Sequence, residues 1–460
     1  MNRRVITYAI VIAVSIGLIG GLIRLGEVSF TPDALQGAGH AAGPAPTHSL
    51  ERPLVVLISQ LLLIVLATQL AGKAATLVRQ PSVIGEIAAG LLLGPSFFGG
   101  LWPDAYTFVF ARESLTILRL LSQLGVILFM FTVGLELDVS RLRHQAPTAV
   151  AVSHFSIVVP FVLGVTTALL LFTRYAPQGV PFDAFALFMG IALSITAFPV
   201  LARILEERDM TRTSLGTTAL ACAAVDDVTA WTLLALVVTW ATAGGIGTAL
   251  LPMVVAIAAF VAAMLWIVRP LLRRTIVPAS TGLSRPTTAV ALMVLLGAAL
   301  ATEVIGIHAL FGAFAAGVVM PPNPEVRHQL RERLATISSV FLLPVFFAFT
   351  GLRTEIGLLN DLSSWFICGA IILVATVGKL VGSMLAARWT GATWRDSFIL
   401  GALMNTRGLM ELIALNVGYD LGILSPHMFT MLVVMALITT VMTGPLVDLV
   451  WKPGLEPARV

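Results

Sequence analysis

Fourteen apolar stretches separated by short polar loops constrain the fold more strongly than any other feature of these 460 residues. A helix needs about 20 mostly apolar residues to cross a bilayer, and most of the stretches approach that length. The predicted spans lie near residues 5–23, 54–77, 82–98, 114–137, 148–172, 182–204, 213–240, 249–268, 286–303, 305–320, 335–352, 363–387, 396–418 and 427–450. The sequence therefore predicts an all-α polytopic membrane protein.

The composition supports this class. Apolar residues make up 58% of the chain and charged residues 11%, whereas about 25% of the residues of a soluble domain are charged. A soluble enzyme, a nucleic-acid-binding protein and a disordered chain are excluded, and a lipid bilayer is the expected environment. The two cysteines, Cys222 and Cys368, cannot form a zinc site alone. We expect no cofactor and no nucleic-acid partner.

The basic residues predict the orientation, because Lys and Arg concentrate in cytoplasmic loops. With the N-terminus inside, 20 of the 28 Lys and Arg residues fall in inner loops and 6 in outer loops. We therefore expect a multi-pass protein of the plasma (inner) membrane with both termini in the cytoplasm. Segment 5–23 exceeds the usual 7–15 residues of a signal-peptide core, which favours a retained helix over the alternative of a cleaved signal.

Two parts of the chain resemble each other. The sequence FMFTVGLELD at 129–138 matches FFAFTGLRTE at 346–355, with Gly134 opposite Gly351. In each copy an apolar helix follows, and then a span that opens near Asp183 or Asp396. The predicted topology runs the two copies in opposite directions across the membrane, which indicates an inverted repeat of the kind common in secondary transporters.

Several charged residues lie inside apolar spans, and three of them are the clearest. Asp226 and Asp227 are adjacent in span 213–240, and Lys379 lies mid-span in 363–387. A charge at the bilayer centre costs at least about 2.5–3.5 kcal/mol, so such residues usually have partners and mark a transport path. Neighbouring helix residues point about 100° apart, so one acid can face a helix and the other a water-filled cavity. We expect Lys379 to pair with Asp226 or Asp227, and the other acid to hold a proton or a hard cation.

Two further spans read as broken helices. Thr196-Ala197-Phe198-Pro199 interrupts 182–204, because proline removes a backbone donor. Asn405-Thr406-Arg407-Gly408 interrupts 396–418.

Unwound segments at matching positions of two repeats indicate a transport site. Arg407 and Glu411 are expected to compensate the partial charges at the half-helix ends. Glu86, in span 82–98, is expected to be a structural charge.

Five motifs together resemble a known family. They are QPSVIGEIAAGLLLGP at 80–95, FTVGLELD at 131–138, SITAFPVLAR at 194–203, GIHALFGAF at 306–314 and NTRGLMEL at 405–412. The chain resembles the sodium/hydrogen exchanger domain of the monovalent cation:proton antiporter-2 superfamily over about 54–450. The motif sequences are most similar to those of the plant-type cation/proton exchangers and their bacterial relatives.

The resemblance implies a fold of thirteen helices with two inverted six-helix repeats, a linker helix, crossing broken helices and a homodimer. Each protomer would contain a dimer domain and a moving core domain. On this chain the parts would be an N-terminal hydrophobic segment and polar outer loop at 1–53, repeat one at 54–240, the linker at 249–268, repeat two at 286–450 and a cytoplasmic tail at 451–460. The segment at 5–23 would be additional to the thirteen helices.

The resemblance also implies residue roles. Asp227 resembles the aspartate that binds the cation and the proton, Asp226 the aspartate that pairs with the core lysine, and Lys379 that lysine. Thr196 joins the two aspartates as a candidate cation- and proton-binding residue, and Asn405 would lie with it at the crossing of the broken helices. Asp227 is expected to hold the cation transiently.

The expected function is secondary active transport, not enzymatic catalysis: a monovalent cation, sodium, exchanges for protons by alternating access. Plant-type exchangers carry Asn-Asp where this chain has Asp226-Asp227, and the Asp-Asp form resembles bacterial electrogenic sodium/proton antiporters. Electroneutral potassium/proton exchange is the alternative. An intramembrane aspartyl protease fits less well, because its two acids come from separate helices and here they are adjacent on one. A channel fits less well, because buried titratable acids suit stoichiometric exchange better.

Overall fold

The computed structural model describes residues 51–78, 80–110, 112–136, 146–211, 213–242, 250–276 and 284–451. These residues form helices, turns and loops without any β-strand. The predicted segment 5–23, most of the loop before residue 53, and residues 452–460 of the predicted tail lie outside the described residues.

The first half of the described chain contains nine helices. They are α1 (Glu51–Leu77), α2 (Ser82–Leu93), α3 (Phe98–Leu101), α4 (Pro103–Val109), α5 (Arg112–Glu136), α6 (Ala146–Tyr175), α7 (Phe182–Ser194), α8 (Phe198–Glu207) and α9 (Ser214–Thr242).

The second half of the described chain contains ten helices. They are α10 (Leu250–Ala263), α11 (Arg269–Thr275), α12 (Arg285–Ile305), α13 (Ala309–Val319), α14 (Pro324–Ile337), α15 (Leu343–Leu352), α16 (Leu362–Trp389), α17 (Trp394–Met404), α18 (Leu409–Asp420) and α19 (Pro426–Val450). One π-helical turn joins α10 to α11 at Met264–Val268, and another joins α14 to α15 at Ser338–Leu342.

The helices agree with the thirteen predicted spans that fall in the described residues. Ten helical stretches are long and apolar enough to cross a membrane, and α17 with α18 forms an eleventh span bent by 44°. Of the remaining two predicted spans, 182–204 contains the short apolar helix α7 and, after a break, α8, and 305–320 corresponds to the short apolar helix α13. The all-helical polytopic fold is therefore confirmed.

One predicted boundary was wrong. The span predicted at 335–352 belongs to a helical stretch that begins at Pro324, eleven residues earlier. Residues 324–334, PEVRHQLRERL, are too charged for hydropathy to include them in a span. They continue the same helix because backbone hydrogen bonding does not require an apolar surface.

Helix packing pairs the two halves of the chain. In the first half α1 packs on α2, and α6 packs on both α7 and α9. The second half repeats these contacts: α12 packs on α13, and α16 packs on both α17 and α19. Across the halves, α2 contacts α15 as α13 contacts α5. This correspondence is what a structural repeat requires; the opposite direction of the two copies stays a prediction.

Glycines make the contacts between the halves close. A Cβ on Gly351 would overlap the backbone of Gly90, and a Cβ on Gly134 would overlap the backbone at Phe314 and Gly317. Gly90 and Gly317 end the similar stretches GEIAAG at 85–90 and GAFAAG at 312–317. The similarity of the sequences around Gly134 and Gly351 thus corresponds to two equivalent helix contacts, where small residues let the two backbones approach closely.

The packing also separates two sets of helices. Helices α6 to α9 and α16 to α19 pack mainly on one another, and we call them the site group. Helices α1, α2, α5 and α12 to α15 likewise pack mainly on one another, and we call them the scaffold group. Both broken helices belong to the site group.

Candidate functional site

The two interrupted helices cross at their breaks, as predicted. Helix α7 ends at Ser194 and α8 begins at Phe198, while α17 ends at Met404 and α18 begins at Leu409. The backbone N–H of Ala197 donates to the Thr406 carbonyl at 3.0 Å, and Thr196 Oγ1 lies 3.1 Å from the Met404 carbonyl oxygen. The Ala197–Thr406 bond partners backbone groups that the breaks release.

The second break depends on a glycine and on support from α19. Gly408 has φ +142° and ψ −127°, a conformation that only glycine adopts readily. The Arg407 N–H donates to Thr440 Oγ1 at 3.2 Å, and Asn405 Nδ2 donates to the Thr439 carbonyl at 3.4 Å. Helix α19 therefore holds the unwound segment in place. Pro199 occupies the first turn of α8, where a missing N–H costs nothing.

Arg407 connects the ends of two half-helices. Its guanidinium donates to the carbonyls of Ala192 at 2.7 Å and Leu193 at 2.6 Å, in the last turn of α7. It also lies 3.1 Å from the carboxylate of Glu411, in the first turn of α18. Both charged side chains are fully buried. Because a helix is partially negative at its C-terminus and positive at its N-terminus, each charge lies beside the helix end that stabilises it.

Asp226 is the fully partnered acid of the adjacent pair. It accepts hydrogen bonds from Ser153 at 2.7 Å and Ser156 at 2.8 Å, both on α6. Thr196 Oγ1 lies 2.5 Å from Asp226 Oδ2, and the ammonium of Lys379 lies 3.0 Å from it. Lys379 also contacts the Thr196 hydroxyl. All five side chains are buried.

Lys379 therefore pairs with Asp226 rather than with Asp227. The position of the charges in the spans left this choice open, and the family resemblance implied Asp226; neither indicated Ser153 and Ser156. The available signal was two serines three residues apart in the apolar span 148–172, a spacing that places both on one face of a helix.

Asp227 points in another direction and keeps a free oxygen. It is 4% exposed, and the backbone N–H of Phe198 at the start of α8 donates to it. Its Oδ1 atom has no hydrogen-bond partner among the described residues. Buried polar atoms nearly always have a partner, so this oxygen is a candidate ligand for a proton or a cation.

A small cavity lies beside Asp227. It has a volume of about 10 Å³, enough for about one water molecule. Its lining residues are Ile195, Asp227, Ala230, Trp231, Leu234 and Met410. Asp227 supplies the only side-chain oxygen among them. Carboxylate oxygen is the ligand type that hard cations prefer.

Glu86, predicted as a structural charge, lies away from the crossing. It is half-buried on α2, next to Gly72 of α1, and Arg203 of α8 is within electrostatic range. The described residues contain no cluster of three His, Cys, Asp or Glu side chains that could hold a metal ion.

An ionic cluster that the sequence did not reveal joins the two helix groups at one end of the bundle. Asp420, the last residue of α18, lies 2.8 Å from Arg353 after α15 and 3.7 Å from Arg119 of α5. Arg353 also donates to Asn416 Oδ1 at 3.1 Å and stacks on the Phe349 ring, 4.2 Å from its centre. The cluster connects a broken helix to the scaffold group.

Comparison with known proteins agrees with this architecture. The family model described as "Sodium/hydrogen exchanger, transmembrane" matches residues 61–452. The chain is 41% identical over 401 residues to the Na(+)/H(+) antiporter NhaS4 of Synechocystis, which covers 86% of this chain and 97% of that protein. It is 40% identical over 409 residues to the Cation/H(+) antiporter 17 of Arabidopsis thaliana, covering 88% of this chain and 50% of the relative. The chain thus spans about half the length of the plant relatives.

A solved structure has the same fold. The sodium proton antiporter MjNhaP1 from Methanocaldococcus jannaschii superimposes with a TM-score of 0.62 over 86% of this chain and 100% of that chain, at 13% sequence identity. On the family match and the NhaS4 alignment together, this chain belongs to the sodium/hydrogen exchanger transmembrane family.

Proposed function

We propose that this protein is a monovalent cation:proton antiporter that exchanges sodium for protons by alternating access, with Asp227 as the shared binding residue. The observation that carries the proposal is the unpartnered Oδ1 of Asp227, next to a small cavity and beside the crossing of two broken helices. A single carboxylate with one free oxygen can hold a proton or a cation but not both, and this competition produces exchange.

The neighbouring ion pair supplies a second proton in this proposal. When sodium binds to Asp227, Asp226 and Lys379 part and the lysine releases its proton. Ser153, Ser156 and Thr196 continue to donate to the Asp226 carboxylate. Exchange of two protons for one sodium ion moves one net positive charge across the membrane per cycle. The membrane potential then contributes about 2.3 kcal/mol per 100 mV to each cycle. Such a transporter extrudes sodium from an energised cell.

The site group is the proposed moving body and the scaffold group the fixed one, with repeats at 54–240 and 286–450 and a linker helix at 249–268. The scaffold group would form the interface of a homodimer. We place the protein in the inner membrane with both termini in the cytoplasm, on the distribution of basic residues. The Asp420–Arg353 cluster then lies at the outer end.

Electroneutral exchange of potassium for protons is the second candidate. It is favoured by the relative named K(+)/H(+) antiporter 1 in Saccharomyces cerevisiae, 33% identical over 423 residues, and by the plant-type motifs. The relative GerN of Bacillus cereus, 31% identical over 389 residues, is named a Na(+)/H(+)-K(+) antiporter. The two candidates differ in the cation and in the charge moved.

Proton flux in proteoliposomes tests both. We expect sodium-driven proton movement from the unaltered protein and none from Asp227→Asn, which keeps the shape but loses the charge. Asp183→Asn is the matched control, because Asp183 lies on α7 outside the crossing. Its carboxylate accepts a hydrogen bond from the Trp240 indole N–H at 2.7 Å. Retained flux in Asp227→Asn would refute the role of Asp227. A clamped membrane potential that leaves the rate unchanged, with potassium as the better substrate, would establish the second candidate.

A further inference from the structure

We propose that Trp231 sets the size of the cation that Asp227 accepts, and is therefore a specificity-determining residue; this inference rests on the proposed function. Trp231 follows Asp227 by four residues on α9, so both lie on one face of the helix. Its ring lines the same cavity of about 10 Å³ as the free carboxylate.

The indole ring is held in place. Trp231 is 6% exposed and packs edge-to-face on Phe311 of α13, with ring centroids 5.5 Å apart and an interplanar angle of 84°. Such pairs add about 0.5–1.5 kcal/mol beyond the buried area. Because packed interiors deform little, the ring forms a firm wall, and it cannot swing away without breaking a contact between the site group and the scaffold group.

The other residues that line the cavity make the size of the cation decide whether it can bind. Ile195, Ala230, Leu234 and Met410 line the rest of the cavity, and their side chains are apolar, so these side chains cannot replace the water that a cation loses on entry. Space for one water-sized guest admits a small cation next to the carboxylate, and a larger cation meets the indole ring. Selectivity by exclusion needs such a repulsive element as well as a ligand, and Trp231 provides it.

The test compares Trp231→Phe and Trp231→Ala with the unaltered protein. Cation-driven proton flux in proteoliposomes gives kcat/KM for lithium, sodium, potassium and rubidium. A small change of pocket volume alters discrimination by about 10-fold or more. We expect the potassium-to-sodium ratio of kcat/KM to rise by about 10-fold in Trp231→Ala and by less in Trp231→Phe, in the order of the space created.

Trp240→Phe is the matched control. Trp240 lies on the same helix, does not line the cavity, and donates its indole N–H to Asp183. We expect this variant to keep the selectivity ratio of the unaltered protein. A second measurement avoids dependence on turnover: the rise in melting temperature of the detergent-solubilised protein on adding each cation should become larger for potassium in both Trp231 variants.

The outcomes separate the two levels of the argument. If the unaltered protein moves no protons with any cation, the proposed function fails. If the unaltered protein is active and both Trp231 variants keep its selectivity ratio, or lose rate equally for all cations with unchanged thermal shifts, the role of Trp231 is refuted and the proposed function stands. Should Trp231→Ala fail to fold, the ratio in Trp231→Phe decides.

Discussion

At the residue scale, the two adjacent aspartates differ because their partners differ. Asp226 accepts from three hydroxyl groups and one ammonium group, whereas Asp227 has one backbone donor and a free oxygen. A buried charge is stable only when it is paired and hydrogen-bonded. Asp226 satisfies both conditions, so it suits a structural and coupling role. Asp227 leaves room for a ligand.

The same contacts predict an asymmetry in stability. Lys379→Met leaves Asp226 with three hydroxyl donors, whereas Asp226→Leu leaves the Lys379 ammonium with neutral hydroxyl groups as its nearest partners. Breaking a buried pair by removing one partner costs about 3–5 kcal/mol. We expect Asp226→Leu to reach this range and Lys379→Met to cost less.

Melting temperatures of the purified proteins in detergent, measured by intrinsic fluorescence at neutral pH, check this order. A lower melting temperature for Lys379→Met than for Asp226→Leu would show that the hydroxyl groups do not stabilise the Asp226 carboxylate.

At the element scale, helix ends and helix contacts hold the site in place. Arg407 neutralises the C-terminal end of α7, and Glu411 lies in the first turn of α18, so the charges of the broken helices are compensated inside the protein. The scaffold helices approach closely because glycines face backbone at Gly90, Gly134, Gly317 and Gly351. Without these approaches the two halves of the scaffold could not pack at this distance.

Adding a methyl group at these contacts is therefore expected to destabilise the protein. Gly317→Ala would place its Cβ against the Phe131 carbonyl, and Gly90→Ala against the Phe347 carbonyl. Overpacking of this kind costs about 1–3 kcal/mol. Gly297→Ala on α12 is the control, because no atom lies within 4 Å of the added Cβ.

Thermal unfolding in detergent is the measurement. We expect lower melting temperatures for Gly317→Ala and Gly90→Ala, and an unchanged or higher one for Gly297→Ala, since alanine is the better helix former by about 1 kcal/mol. Equal effects at all three positions would mean that close packing is not the reason for the glycines.

At the scale of the whole molecule, the proposed mechanism needs the site group to move against the scaffold group. The contacts that close one end of the bundle run between the groups: Asp420 to Arg353 and Arg119 at the end, and Trp231 to Phe311 nearer to Asp227. These contacts must separate when that end opens. Contacts within one group are free to persist throughout the cycle.

Cross-linking distinguishes the two kinds of contact. In a protein with Cys222→Ala and Cys368→Ala, we expect a short thiol cross-linker between Arg353→Cys and Asp420→Cys to stop antiport, and a reductant to restore it. The physical reason is that a covalent bond between the groups prevents their relative motion. Proton flux before and after reduction is the measurement.

The control pair lies within the site group. Arg208, directly after α8, forms an ion pair at 2.9 Å with Asp448 of α19. Cross-linking Arg208→Cys to Asp448→Cys should leave antiport intact. Full activity of the cross-linked Arg353→Cys/Asp420→Cys protein would contradict motion between the two groups.

The spans that fall in the described residues, the two helix breaks and the charges inside the spans followed from the sequence alone. Each depends on a local quantity: about 20 apolar residues to cross a bilayer, a proline or glycine that interrupts a helix, and the cost of a charge in lipid. The charged start of α14 was missed for the same reason, because hydropathy reports the surroundings of a helix rather than its length.

The resemblance implied that Asp226 pairs with Lys379, but the serine donors of Asp226, the cavity wall at Trp231 and the Arg353–Asp420 contact required the folded arrangement. These features join residues far apart in the chain, on helices whose rotation and depth are set by packing. Small-residue contacts such as Gly90 against Gly351 determine those positions, and no local pattern reports which side chains then face each other.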